Sequence, residues 1–192
     1  MVYYNQDFYH TPIVFTKAQV DVRNYMRMLW EQHDVWTWST ITSLVFGLPN
    51  VDSVVARLLR NPVDFEHALQ PYYGERIAAK FRDLFKEHLV IAADLVKAAK
   101  AGDNKAAAEA ERKWYANADA IAVFLGNINP YWSQEHWRRM MYRHLALVKA
   151  EAVNMLTGQY EASIAAYDEN EIHTLGMADV MAEGIIKQFH IY

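Results

Sequence analysis

Apolar residues recur along this chain at alternating steps of three and four, the spacing that keeps one face of an α-helix turned inward. Four stretches carry the pattern: Val22, Met26, Leu29, His33, Trp36 and Thr40; Ile77, Phe81, Leu84, His88, Ile91 and Leu95; Ala110, Trp114, Asn117, Ile121 and Phe124; and Trp137, Met141, His144, Val148, Glu151 and Met155. A fifth has a less definite register, running through Ile172, Leu175, Asp179, Ala182, Ile186 and Phe189, or in another phase through Asp168 and Glu171. Alternation with period two and β-branched enrichment is not found, so no strands are predicted.

Caps and breakers set the expected boundaries. Thr16, with Gln19 three positions on, has the capping-box spacing and opens a helix that Gly47 and Pro49 end near Phe46. A short helix is expected over 51–60, and Asn61-Pro62 reads as the start of another. The second long helix is predicted from Pro71 to Lys100. Asp103 should cap the third, which runs to Ile128, and Ser133 the fourth, over 134–157. Gly158 separates a fifth that reaches Phe189. Residues 1–15, rich in aromatics (Tyr3, Tyr4, Phe8, Tyr9), read as an irregular N-terminal arm, and 16–192 as a single domain. The expected fold is therefore all-α, an antiparallel four-helix bundle with extra short helices.

Composition narrows the function. A length of 192 residues suits one domain with a full core. The absence of cysteine excludes disulfides, thiolate metal sites and thiol nucleophiles. Net charge is −4, and the basic cluster Arg138, Arg139 and Arg143 reads as a solvated helix face, so no nucleic-acid partner is expected. Charges interrupt every apolar run before the ~20 residues a membrane span needs, and the start lacks a basic region followed by an apolar run. A cytoplasmic location with no membrane partner follows as the expectation; a homo-oligomer stays open. Glycine-rich phosphate loops, Glu-x-x-His pairs, a His-Glu-x-x-His helix and a serine-hydrolase elbow are all missing from the sequence.

What remains is the set of polar residues inside the apolar seams. His33, His88, Asn117 and His144 each fall near the middle of their helix, and antiparallel helices joined by short loops bring their midpoints to one level. Unpartnered polar groups cost on the order of 1–3 kcal/mol when buried, so these groups should meet something. One answer is a divalent transition metal (Zn, Fe, Mn or Ni) held by His33, His88 and His144. Glu151 lies about 10 Å along the axis from His144, too far for both to ligate one ion easily, and with Asn117 and Asp179 it is a candidate second-layer or alternative ligand. Trp36 and Trp114, one turn from His33 and Asn117, would wall a pocket for a small molecule. The other answer is a hydrogen-bonded network that fixes helix register and binds nothing. His10, His67, His136, His173 and His190 fall at ends or off the seams and read as surface residues.

The stretches LWEQHDVWT (29–37), RLLRNPVDF (57–65), EHLVIAADLV (87–96), WYANADAIAVFL (114–125), INPYW (128–132), HLALVKAEA (144–152) and MADVMAEGIIKQF (177–189) resemble a family of small bacterial helical proteins of unknown function. Some similar sequences carry an acetylglutamate kinase label; a kinase of that type is α/β with glycine-rich phosphate loops, and neither is legible here. A looser likeness is to DinB-like and ferritin-like four-helix bundles, which implies a metal held among facing helices.

Overall fold

The Thr16 cap forms in full: its hydroxyl accepts from the Gln19 backbone N–H at 3.2 Å, while the Gln19 side chain accepts from the Thr16 N–H at 3.1 Å. From there the computed structural model, which describes residues 14–192, runs through six helices and, among the described residues, no strand. They are α1 (Lys17–Phe46), α2 (Val51–Tyr73), α3 (Glu75–Lys100), α4 (Asn104–Ile128), α5 (Gln134–Leu156) and α6 (Tyr160–Gln188). Residues 1–13 of the expected N-terminal arm lie outside the described residues. Asp103 and Ser133 cap α4 and α5, accepting from the Ala106 and His136 backbone N–H groups.

Two predicted boundaries move. The short helices expected around Asn61-Pro62 are one continuous α2, which also runs through Pro71. Proline removes a helical donor, but tertiary ties hold the segment together: Pro62 is buried, and the Asn61 side chain donates to the Leu29 carbonyl of α1 at 3.0 Å. The second long helix accordingly begins at Glu75 and not near Pro71. Gly74 makes the break, with φ 77° and ψ 165°, a backbone region that essentially only glycine occupies.

Each helix packs on the next in sequence, and α6 closes the circuit on α1. α1 also meets α3 and α5, so it has four helical neighbours. The link between α4 and α5 is pinned by Trp132, whose indole nitrogen donates to the Val180 carbonyl of α6 at 3.1 Å. The ring lies so close over Gly184 that a Cβ there would stand 1.9 Å from that nitrogen.

The interior has two unlike ends. On one side of the His33 level, Trp30, Phe65, Phe81 and Phe85 pack as edge-on and stacked rings, and Trp137 stacks on Trp30. On the other, the C-terminal halves of α1, α3 and α5 and the N-terminal half of α4 surround a cavity of about 250 Å³.

Candidate metal centre

Consecutive helical residues point about 100° apart, so a helix with one inner face seldom buries both. α1, enclosed by four neighbours, buries His33 and Asp34 together; Asp34 is 2% exposed. His33 Nε2 lies 3.3 Å from His144 Nε2 on α5. One ligand atom from each of His33, Asp34 and His144 falls within 4.8 Å of the others, and no other such set of three occurs among the described residues. Neither Asp34 oxygen has a hydrogen-bond partner among those residues. Thr174, a neighbouring hydroxyl, donates instead to the Asn170 carbonyl at 2.8 Å.

Asparagines orient two of the imidazoles. His144 Nδ1 lies 2.8 Å from Asn170 Oδ1 on α6; with the amide oxygen accepting, the ring proton sits on Nδ1 and the Nε2 lone pair faces His33. His88 repeats the device on α3, its Nδ1 donating to Asn117 Oδ1 at 2.8 Å. The Asn117 amide is itself fixed, donating to the Leu84 carbonyl at 3.1 Å and to the Glu87 carboxylate at 3.2 Å. His88 Nε2 has no partner among the described residues. His88 stands outside the close triplet, its ring 5.3 Å from that of Trp114 and stacked at 6.4 Å on Phe85.

Burial in this apolar setting favours neutral forms. It pushes His33 well below the ordinary imidazole value, with His144 and His88 adding to the effect, and takes His88 to about 3 and His144 to about 4. It raises Asp34 to about 8, opposed by Thr174 and reinforced by the carboxyls of Glu151, Glu31 and Glu171. Glu151 is likewise raised by burial to about 8, against the pull of Asn170. Its Oε1 has no partner among the described residues. The result, among the described residues, is a cluster of Lewis bases with no lysine or arginine paired to it: two imidazoles in contact, an unbonded carboxyl beside them and a second buried acid nearby.

The cavity begins at this level. His33, His88, His144 and Trp114 all line it, along with Thr37 and Thr40. Leu89, Val96, Val148 and Leu156 form its aliphatic walls; Glu111 and Lys149, paired at 2.6 Å, flank it about midway, and Asn104 stands at its far end.

The remaining candidates from the sequence lie elsewhere. Asp179 is 43% exposed and pairs with Arg27 at 2.6 Å, because α6 turns a different face inward from the one its seam suggested; Ile172, on that seam, is exposed. Trp36 is half-buried beneath the Arg57 guanidinium, 5.1 Å from its ring centre, and does not line the cavity. His173 is half-buried rather than on the surface, and its Nε2 donates to the Met140 carbonyl at 2.9 Å. Sequence reasoning missed Asp34 and Asn170.

No family model, no curated protein and no solved structure matches this chain. No helix among the described residues is long and apolar enough to cross a membrane.

Proposed function

We propose that this protein binds one divalent transition metal ion through His33, Asp34 and His144 and uses it as an enzyme acting on a small molecule held in the adjoining cavity. The observation that carries this reading is the Asp34 carboxyl, which is buried, without a hydrogen bond on either oxygen among the described residues, and within reach of two imidazoles. An unpartnered buried carboxylate is costly, and a divalent cation supplies both the missing charge and the missing bonds. The two His–Asn pairs alone would suit a network that fixes helix register; Asp34, whose nearest polar neighbour Thr174 already donates to the Asn170 carbonyl, is what favours a metal.

Two imidazoles and one carboxylate suit zinc, iron, manganese or nickel and leave coordination positions free for water or substrate. When bound, such an ion supplies Lewis acidity that activates water or dioxygen. The chain's own groups have separable duties. Asn170 holds His144 with Nε2 available, Glu151 can give up and regain a proton two turns away on α5, and His88 offers a free Nε2 on the cavity side. The core reads as a four-helix bundle of α1, α3, α4 and α5, because His33, His88, Asn117 and His144 come one from each, with α2 and α6 as the additional helices.

Elemental analysis of purified protein tests the site. The expected result is one metal per chain, lost in His33→Ala and His144→Ala. Asn170→Ala should keep its helical circular dichroism while metal affinity falls about 10- to 100-fold, the usual effect of removing a group that orients a ligand. Wild-type protein that takes up no zinc, iron, manganese or nickel refutes the reading.

A further inference from the structure

The cavity carries a second set of unsatisfied groups, distinct from the triplet. The Thr37 and Thr40 hydroxyls, His88 Nε2 and Trp114 Nε1 have no partner among the described residues, and all four side chains line it. Most of the remaining lining is aliphatic, with Glu111 on α4 and Lys149 on α5 about midway along it and Asn104 at the far end. The lining is therefore mostly apolar, with a few unpartnered polar groups set into it.

Size and shape define what fits. A benzene fills an apolar cavity of roughly 150 Å³. A volume of about 250 Å³ therefore has room for about ten non-hydrogen atoms. On α3 the lining extends from His88 to Ala99, roughly 16 Å at about 1.5 Å per residue. A hollow so long for its volume is narrow, and it favours a chain over a fused ring.

Charge selects the head group. Lys149, the one lysine or arginine among the described residues of the lining, is already paired with Glu111 at 2.6 Å, and a carboxylate head would meet the His88 Nε2 lone pair with no hydrogen to donate. A hydroxyl suits the inner end in both its roles: it donates to the His88 Nε2 lone pair and accepts from a threonine hydroxyl.

We propose that this cavity binds a neutral, straight-chain primary alcohol of about eight or nine carbons, with its hydroxyl inward against His88 and Thr40 and its chain between α3 and α5. The assignment names the substrate class of the metal site and rests on that reading for its chemistry, but its binding geometry is present in the metal-free chain.

Titration calorimetry of chelator-treated protein with 1-octanol tests it. Saturable one-to-one binding is expected. Ala92→Phe, which fills the channel, should weaken binding more than tenfold. Val153→Trp, which narrows its more exposed outer part, should do the same and serves should the first variant fail to fold. Thr40→Val, nearly the same shape without the hydroxyl, should weaken binding about three- to tenfold, the range for loss of one hydrogen bond. Octanoate should bind at least tenfold more weakly than octanol. Non-saturable octanol binding, affinity unchanged in both filled variants, unchanged affinity in Thr40→Val, or octanoate binding as tightly as octanol would each overturn the assignment. The metal reading fails separately: octanol binding to a protein that takes up no metal removes only the metal, and metal uptake without octanol binding removes only the alcohol.

Discussion

Replacing Asp34 with asparagine changes one oxygen for a nitrogen, and the metal reading requires its effect to reverse sign with metal. Folding raises the Asp34 carboxyl from its ordinary value of 3.8 to about 8. The folded state therefore binds the extra proton between those limits, and stability falls as pH rises through that window. Each pH unit removes about 1.4 kcal/mol, so by pH 7 the ionisable side chain costs about 4 kcal/mol relative to a neutral one. Burying an unsatisfied amide in its place costs roughly 1–3 kcal/mol. Metal-free Asp34→Asn should thus be more stable than wild type by about 2 kcal/mol, a rise of roughly 4–8 °C in Tm for a chain of this size. With zinc at about a thousandfold excess over its Kd, wild type gains about 4 kcal/mol and the variant, lacking the carboxylate ligand, gains little. Differential scanning calorimetry at pH 7, in chelator and in zinc, reads both arms. A variant less stable than wild type in chelator, or one that zinc stabilises as much as wild type, would show that the carboxylate is satisfied within the fold and holds no metal.

The metal-free protein should be most stable near pH 6.5, measured as the urea midpoint at pH 5, 6.5 and 8.5. Below pH 6.5 the unfolded chain protonates imidazoles that the folded chain keeps neutral, His88 and His144 down to about 3 and 4, so acidification destabilises, in part offset by Asp34 and Glu151. Above pH 6.5 the raised values of Asp34 and Glu151 dominate, and stability falls until these acids ionise in the folded chain near pH 8; a midpoint at pH 8.5 no lower than at pH 6.5 contradicts their burial. Gly184→Ala should lower stability by about 3 kcal/mol, since its Cβ displaces the Trp132 indole, overpacks the interface and breaks the bond to Val180. Thermal unfolding within about 2 °C of wild type would show that the indole moves aside freely.

Much of the fold is legible in the chain because local signals and tertiary packing agree there. Thr16, Asp103 and Ser133 cap where their side chains predict, and His33, His88, Asn117, His144 and Glu151 are all buried as their seams require. Asp34 escaped because a single seam assumes a single inner face. With four neighbours around it, α1 buries a second line, Trp30, Asp34, Thr37 and Ile41, whose own steps of three and four are visible in the sequence. α6 was misphased for the opposite reason. Its inner face runs through Ser163, Asn170, Thr174, Met177, Met181 and Ile185, and because its first half is polar the apolar Ile172 and Leu175 set a different phase in the hydrophobicity pattern. Asn61-Pro62 misled as a boundary because a buried side-chain tie to α1 outweighs the loss of one helical hydrogen bond.

The hollow end of the molecule is bordered by alanine at Ala92, Ala93, Ala99, Ala107, Ala108 and Ala152, where helical proteins commonly place leucine. Larger apolar side chains there would bury more surface and stabilise the fold. The usual route to a hardier protein, enlarging small interior residues, is thus available here and self-defeating, because every methyl group added shortens or narrows the passage to His33, His88 and His144. Heat resistance in this architecture has to come from outside that end, from helix caps, from ion pairs such as Arg82 with Glu66 and from the ring-filled half.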